Sequence, residues 1–192
     1  TVYGAPKEIP IKESHPTEPL CSYGIGKLAI EKYLHLYHVL HGIDYRVLRL
    51  ANLYGERQRV TTSQGAVAVF LHRALSGQPI EIWGDGSVVR DYLYVGDVAA
   101  ALVQAAGING EHRLFNIGSG QGQSLNDLVA AIERLLGREV RRNYLPGRRF
   151  DVPVNVLDIY RAERHLAWQP RVVFAEGLER TLQWMRQNLG NL

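Results

Sequence analysis

Residues 22–55, SYGIGKLAIEKYLHLYHVLHGIDYRVLRLANLYG, decide the fold class. Apolar residues recur over 22–41 close to the 3.6-residue period of an α-helix, and Gly42 is typical of a helix end. The segment 45–51 that follows is rich in β-branched and aliphatic residues, which predicts a buried strand. A helix that leads directly into such a strand indicates an α/β fold with parallel strand pairing.

The alternation of helices and strands continues along the chain. Further helices are predicted over 65–76, 97–106, 124–136 and 174–189, with a short one after Asp158, and further strands over 80–83, 88–95, 114–117 and 140–144. The turn Gly84-Asp-Gly86 predicts that the two strands beside it form an antiparallel pair. Ser124 and Asp127 have the spacing of a capping box, and Asp97 and Asp158 are predicted to cap their helices.

Composition excludes several classes of protein. The 192 residues are 46% hydrophobic and 21% charged, with one cysteine, Cys21, which excludes a disulfide framework and fits a reducing compartment such as the cytoplasm. No apolar run reaches the roughly 18 residues of a membrane-spanning helix. The net charge of +3 comes from eighteen arginines and four lysines against 19 acidic residues. Without a nucleic-acid motif, this charge does not indicate a nucleic-acid partner.

Tyr23 and Lys27 carry the clearest chemical signal. Their spacing of four residues places both side chains on one face of the predicted helix. An ammonium group beside a phenol favours the phenolate, so such a tyrosine can act as a base. The spacing alone is weak, because Tyr3 and Lys7 share it in a proline-containing stretch that is not helical, and we assign that second pair to chance.

Three histidines offer an alternative, metal-binding interpretation of the same helix. His35, His38 and His41 follow one another at three-residue steps, a spacing that can hold a metal ion. No carboxylate or cysteine completes the set, so we favour a solvent or interface face and predict no metal site.

A fixed succession of motifs extends over essentially the whole chain. In order these are TVYG (1–4), YGIGK (23–27), RLANLYG (49–55), WGDG (83–86), RDYLYV (90–95), FNIG (115–118), PGRRFDVP (146–153), LD (157–158) and WQP (168–170). The succession resembles the NAD-dependent nucleotide-sugar epimerases and dehydratases of the extended short-chain dehydrogenase/reductase family, and most of all UDP-glucose 4-epimerase. Chance agreement at every one of these places is negligible.

The resemblance implies the last part of a Rossmann-like parallel sheet plus a smaller mixed α/β region. Residues 1–59, with contributions from about 97–120, would belong to the NAD-binding domain, and 60–192 would mainly bind the nucleotide sugar. The family begins with βα units that carry a glycine-rich turn for the NAD pyrophosphate. That turn and an initiator Met are absent, so we expect this chain to be the carboxyl-terminal portion of a longer protein and to be inactive alone.

The resemblance also assigns catalytic roles. Tyr23 would take the sugar hydroxyl proton, and Lys27 would hold the nicotinamide ribose of NAD and acidify Tyr23. Thr1 is the hydroxyl residue left to assist Tyr23. Related dehydratases and decarboxylases have a glutamate at the Thr1 position, so the threonine favours epimerisation.

Five residues are implied in substrate binding, and we expect the Tyr23 hydroxyl to face the pocket lined by Asn52, Arg90 and Arg148. Asn52 would contact the diphosphate, Arg90 and Arg148 would clamp its phosphates, and Asp151 would receive a ribose hydroxyl. Asn155 would lie beside the second carbon of the sugar, where it leaves room for an N-acetyl group.

The resulting expectation is NAD-dependent epimerisation of a UDP-glucose/UDP-galactose type of sugar through a transient 4-keto intermediate. Two alternatives remain: a nucleotide-sugar dehydratase or reductase of the same family, and a non-catalytic remnant that binds nucleotide sugar or dimerises. The family also implies a homodimer through the helix 22–41, although ordinary core burial explains the same apolar residues.

Overall fold

The computed structural model describes residues 1–60, 65–147 and 152–188, and helices and strands alternate along most of them. The helices are α1 (Ser22–His41), α2 (Ala66–Leu75), α3 (Val95–Gly107), α4 (Leu125–Leu136), α5 (Tyr160–Leu166) and α6 (Phe174–Asn188). The strands are β1 (Val47–Leu50), β2 (Asn52–Tyr54), β3 (Ile80–Trp83), β4 (Val89–Tyr94), β5 (Leu114–Ile117), β6 (Gly122–Ser124), β7 (Arg142–Leu145) and β8 (Val154–Asn155). This order confirms the predicted α/β class.

Parallel pairing dominates the sheets of the described residues. β1 pairs with β5 in parallel, with Arg49 opposite Asn116, and β3 pairs with β7 in parallel. In a third, four-stranded sheet, β4 pairs in parallel with β2 and with β8, and antiparallel with β6. β4 is therefore the strand on which the pairing of this sheet converges.

The predicted antiparallel pair across Gly84–Gly86 is wrong, because β3 and β4 belong to different sheets. Oδ1 of Asp85 accepts hydrogen bonds from the amide and the hydroxyl of Ser87, at 2.9 and 2.6 Å. Nδ2 of Asn126 donates to the Asp85 carbonyl at 3.0 Å. These bonds hold the turn against the start of α4, so the chain passes from one sheet to the next instead of folding back.

The sequence predictions for the end of α1 and the beginning of α4 are confirmed. Gly42 ends α1 in the left-handed region, with φ of 68°. Ser124 Oγ accepts the amide of Asp127 at 3.0 Å, and Asp127 Oδ2 accepts the amide of Ser124 at 2.9 Å, which is the predicted capping box.

Asp97 and Asp158, in contrast, do not occupy the capping positions predicted for them. α3 begins two residues before Asp97, whose carboxylate instead accepts the amide of Val172 at 3.0 Å. Nε1 of Trp168 donates to the carbonyl of Asp97 at 2.9 Å. Asp158 accepts the amide of Tyr160 at 2.9 Å, but the residue at the N-cap of α5 is its neighbour Ile159. Asp97 thus fixes a long-range contact that a local sequence pattern does not reveal.

Two hydrophobic cores lie on either side of β4. The larger core packs α2, α4 and α6 around side chains of β2, β3 and β4. The smaller core packs α3 and α5 against β5 and Leu93. None of the helices among the described residues combines the length and the hydropathy that a membrane crossing requires.

Gly177 brings α6 close to β2 in the larger core. A Cβ atom at this position would lie 2.3 Å from the hydroxyl oxygen of Tyr54, a residue that is 2% exposed. Gly26 of α1 has no atom within 4 Å of such a Cβ. Both glycines lie inside helices, so comparing the same substitution at the two positions separates the effect of core packing from the effect of helix propensity.

We expect Gly177→Ala to lower the free energy of unfolding by about 1–3 kcal/mol more than Gly26→Ala, because only the first overpacks the core. Gly26→Ala by itself is expected to stabilise the chain by about 0.5–1 kcal/mol, the helix propensity difference. Urea unfolding followed by tryptophan fluorescence measures both. Equal effects of the two substitutions would contradict the proposed contact with Tyr54.

Candidate active site

α1 has three faces with different surroundings, because side chains advance by about 100° per residue around a helix. One face is directed inward and is buried or half-buried at Gly24, Leu28 and Glu31. A second face, which carries Tyr23 and Lys27, borders an open cavity. The third face is exposed although it is apolar, at Ile25, Tyr33, Leu36, Tyr37 and Leu40.

Tyr23 and Lys27 lie side by side on the second face. The Lys27 ammonium is 5.3 Å from the centroid of the Tyr23 ring, within the range of a cation–π contact. Tyr23 is 63% exposed, and Lys27 is exposed as well. The polar ends of both side chains can therefore reach a molecule that enters from solvent.

Gly24 allows the beginning of α1 to approach the first residues of the chain. A Cβ atom at this position would lie 2.8 Å from the Thr1 carbonyl oxygen and 2.9 Å from the Pro19 Cβ. Gly24 is buried, and its absence of a side chain leaves Thr1 against the helix end that carries Tyr23.

Tyr23 and Lys27 form part of the wall of a cavity of about 320 Å³, which we call the tyrosine cavity. Its other walls come from the first residues, β1 and the segment around β8. The lining residues are Thr1, Val2, Tyr3, Tyr23, Lys27, Ile30, Glu31, Leu34, Val47, Leu48, Arg49, Leu50, Asn155 and Leu157. The structure thus brings four of the predicted site residues, Thr1, Tyr23, Lys27 and Asn155, to one cavity.

An ion pair between Arg49 and Glu31 fixes α1 to β1. Arg49 Nε and Nη2 donate to the two carboxylate oxygens of Glu31 at 2.9 and 2.7 Å, and the side chains are only 8% and 16% exposed. Burial lowers the pKa of Arg49, but the interactions with Glu31 and Tyr3 outweigh it and leave that pKa raised. Glu31 lies one helical turn beyond Lys27, so the pair sets the rotation of α1 and with it the direction of Tyr23 and Lys27.

Tyr3, the tyrosine of the pair assigned to chance, has a structural environment. It is 2% exposed, its hydroxyl donates to Asn116 Oδ1 at 2.5 Å, and burial raises its pKa. Nδ2 of Asn116 donates to the Ile11 carbonyl at 2.8 Å, and the amide of Asn116 donates to Glu13 at 2.9 Å. These bonds join the first residues of the chain to β5.

Asn52 and Arg90, two of the predicted substrate contacts, line a second cavity of about 320 Å³, the arginine cavity. Its lining residues are Asn52, Gly65, Ala66, Val69, Phe70, Arg73, Glu81, Trp83, Val88, Arg90, Tyr92 and Leu125. Nη1 of Arg90 donates to the carbonyls of Val89 and Val152, at 2.8 and 2.7 Å. The cavity therefore combines guanidinium groups with an apolar and aromatic surface.

Tyr92 is a residue of the arginine cavity that the sequence analysis did not select. It is 5% exposed, its hydroxyl has no hydrogen-bond partner among the described residues, and burial raises its pKa to about 12. A buried polar group left unpaired costs about 1–3 kcal/mol, so this neutral O–H favours a ligand oxygen that would accept from it. The signal was available in the sequence, because Tyr92 lies two residues after Arg90 and therefore on the same face of a strand.

Tyr23 borders the tyrosine cavity, while Asn52 and Arg90 border the arginine cavity. The pairing of β4 with β8 joins the two cavities. Arg90 lies opposite Asn155 in this parallel register, so neighbouring residues of adjacent strands line different cavities.

Arg148 and Asp151 lie outside the described residues. Nδ1 of His38 is 2.9 Å from the Ile43 carbonyl oxygen, and the His41 ring packs near Tyr37. Over residues 1–60, 65–147 and 152–188, no three histidine, cysteine, aspartate or glutamate side chains are grouped as metal ligands.

Comparison with known proteins decides the family. The profile of the NAD dependent epimerase/dehydratase family matches residues 1–118, more than half of the chain. The chain belongs to this family. The resemblance predicted from the motif succession is thereby confirmed, and NAD is the cofactor of the family.

Curated relatives and solved structures agree with this assignment. The UDP-glucose 4-epimerase of Mycolicibacterium smegmatis is 39% identical over 97% of this chain and 59% of its own length. The crystal structure of UDP-glucose 4-epimerase with UDP-glucose from Thermotoga maritima matches with a TM-score of 0.93 and 38% identity, over 97% of this chain and 60% of that one. UDP-N-acetylglucosamine 4-epimerase from Methanobrevibacter ruminantium, in complex with UDP-N-acetylmuramic acid, matches with a TM-score of 0.91 and 30% identity. The match covers 97% of this chain and 60% of that one. The match to these folds confirms the Rossmann-like class, and the chain spans about 60% of the length of the relatives it matches.

The tyrosine cavity fits one end of NAD. Its wall presents an exposed ammonium and an exposed phenol 5.3 Å apart, and both are suited to hydroxyl groups of a ribose. The 192 residues contain no Gly-x-x-Gly-x-x-Gly turn for the pyrophosphate. The side chains of Tyr23 and Lys27 are therefore suited to the hydroxyl groups of a ribose of the family's cofactor.

Proposed function

We propose that the protein containing this chain epimerises a nucleotide-diphosphate sugar of the UDP-glucose/UDP-galactose type through a transient 4-keto intermediate. The observation that carries the proposal is the pair Tyr23 and Lys27, side by side on the wall of one cavity. The arginine cavity, which is suited to phosphates, adjoins it through the pairing of β4 with β8.

Tyr23 accepts the proton of the sugar hydroxyl at the carbon that is oxidised, and returns it when the carbon is reduced on its other face. Lys27 holds a ribose hydroxyl and keeps a positive charge beside Tyr23. Thr1, which lines the same cavity, is the hydroxyl residue assigned to hydrogen-bond the reacting sugar oxygen. NAD, when bound, takes up and returns the hydride.

The arginine cavity is proposed to hold the nucleotide and its diphosphate. Arg90 supplies a planar guanidinium that matches two phosphate oxygens, and Asn52 an amide donor. Trp83 and Phe70 offer aromatic and apolar surface to a base. The buried Tyr92 hydroxyl, which lacks a partner among the described residues, supplies a further donor. Arg148 and Asp151 keep the roles that the family resemblance implies.

The proposed division of labour follows the cavity linings except at Asn52, Asn155 and Leu157. Residues 1–59, with about 97–120, would serve the cofactor, and 60–192 mainly the nucleotide sugar. The tyrosine cavity is lined by residues up to Leu50 together with Asn155 and Leu157, and the arginine cavity by residues from Asn52 to Leu125.

Cys21 supports a reducing location for the protein. It is the single cysteine, it is free, and it is exposed. A thiol of this kind stays unpaired in a reducing compartment, so we propose the cytoplasm as its location.

We expect Tyr23→Phe to lower kcat for the conversion of UDP-glucose to UDP-galactose by about 10²- to 10⁴-fold, because the proton acceptor is lost. The affinity for UDP should stay nearly unchanged, since Tyr23 does not line the arginine cavity. NMR analysis of the product, with the full-length gene product and NAD, measures the first effect and calorimetry the second.

Tyr33→Phe is the matched control, because Tyr33 lies on the same helix, is also 63% exposed, and borders neither cavity. Retained turnover in Tyr23→Phe would remove the base assignment. A product that has lost water would instead identify a dehydratase. If the wild type binds the UDP-sugar but does not convert it, the protein would be the non-catalytic remnant that only binds nucleotide sugar.

We expect the wild type to accept UDP-N-acetylglucosamine as well as UDP-glucose, because the half-buried Asn155 leaves room in the tyrosine cavity. Asn155→Tyr should lower the ratio of kcat/KM for the acetylated over the plain substrate by about tenfold. Asn155→Ala, which keeps the space, should leave the ratio within about threefold. An equal loss with both substrates in Asn155→Tyr would contradict this role.

We propose that the exposed apolar face of α1 joins two copies of the protein as a homodimer. Exposed large apolar side chains grouped on one helix face are typical of an interface. Light scattering should give twice the monomer mass for the wild-type full-length gene product and the monomer mass for Leu36→Glu. Val103→Glu, at a position of α3 that is 74% exposed, is the control and should remain dimeric. A monomeric wild type, or a dimeric Leu36→Glu, would contradict the proposal.

A further inference from the structure

Asp91 is a buried carboxylate to which the proposed chemistry assigns no role. It lies in β4 between Arg90 and Tyr92 and has 0% exposure. Oδ1 accepts the amide and the hydroxyl of Ser119, at 2.7 and 2.6 Å. Oδ2 accepts the amides of Gly120 at 3.3 Å and Leu157 at 3.2 Å. All four donors are neutral, and burial raises the pKa of Asp91.

These bonds tie three separate segments to one side chain. Asp91 belongs to β4, Ser119 and Gly120 to the turn after β5, and Leu157 to the segment after β8. Gly118 lets the turn come this close, since a Cβ atom there would lie 2.3 Å from Asp91 Oδ2 and 3.3 Å from the Leu157 Cβ. The contact therefore requires glycine at this position, whatever its backbone angles.

The anchored segments carry residues of both cavities. Arg90, directly before Asp91, lines the arginine cavity, and Asn155, two residues before Leu157, lines the tyrosine cavity. Leu157 lines the tyrosine cavity itself and forms a bridge with Ile11 of the amino-terminal segment. Among the described residues, the β4–β8 register is defined by two pairs, Val89 with Val154 and Arg90 with Asn155. The bonds from Asp91 add to this short ladder.

We propose that Asp91 is a positioning residue that sets the offset between the arginine cavity and the tyrosine cavity. This inference rests on the proposed function, because it concerns a substrate that spans both cavities. A sugar held through its diphosphate near Arg90 reaches Tyr23 only if that offset is correct. Asp91 touches neither cavity, so it acts on the reaction through Arg90, Asn155 and Leu157.

The test is Asp91→Asn in the full-length gene product with NAD and UDP-glucose. The amide keeps the size of the carboxylate but turns an N–H group toward the amides it used to accept. We expect kcat to fall by at least about tenfold, while the inhibition constant of UDP, which fills the arginine cavity alone, changes by less than about threefold. A loss of the same factor in both quantities would overturn the positioning role.

Asp97→Asn is the matched control for general damage to the fold. Asp97 is 5% exposed and also accepts a backbone amide, yet it lines neither the tyrosine nor the arginine cavity. Its kcat should stay within about threefold of the wild type. An equal loss of kcat in this control would overturn the proposal.

Ser119→Ala covers the case in which Asp91→Asn does not fold. Of the four bonds to Asp91 it removes the 2.6 Å hydroxyl bond and leaves the three amide bonds in place, and it also removes the two bonds between the Ser119 hydroxyl and the backbone of Gln121. We expect kcat to fall by more than about threefold, the limit set for the control, with unchanged UDP inhibition, and a kcat within about threefold of the wild type would count against the inference. An inactive wild type would refute the proposed function, whereas an active wild type with unaffected variants would refute only the role of Asp91.

Discussion

The alternation of side chains along β4 is the constraint on which the described site depends. Successive residues of a strand point to opposite sides, so Arg90 and Tyr92 reach the arginine cavity while Asp91 between them points into the interior. One short segment thereby supplies two groups of the proposed binding surface and the buried anchor of its neighbours. β4 can do this because it is paired on more than one side, with β2, β6 and β8.

Local rules predicted the helices and most of the strands well, because those elements depend on nearby residues. Gly42 ended α1 and Ser124 with Asp127 capped α4 as predicted, since each signal acts within one helical turn. The turn at Gly84–Gly86 was misjudged for the same reason. Its glycines do specify a turn, but which strands pair is decided by β7, far along the chain, and by Asn126.

In the site, too, sequence patterns predicted the contacts between nearby residues and missed those set by strand pairing. The spacing of Tyr23 and Lys27 determines that they share a helix face, and the structure brings them together. Arg90 and Asn155 line two different cavities because of the register in which β4 pairs with β8. No local sequence pattern encodes this register. The arginines illustrate the point further. Arg138 donates to the carbonyl of Ala74 at the end of α2, and Arg46 to that of Ile108 after α3, so part of the basic excess satisfies helix ends instead of binding phosphate.

The three faces of α1 leave little of this helix free to vary. Glu31 holds its rotation from inside, Tyr23 and Lys27 need that rotation, and the apolar outer face turns with them as one rigid cylinder. A small twist of the helix about its long axis would displace the Tyr23 hydroxyl and the exposed apolar face by the same angle. The proposed chemistry at Tyr23 and the proposed association through the apolar face are therefore tied to one rotation of α1, and a change of that rotation at one surface has to be matched at the other.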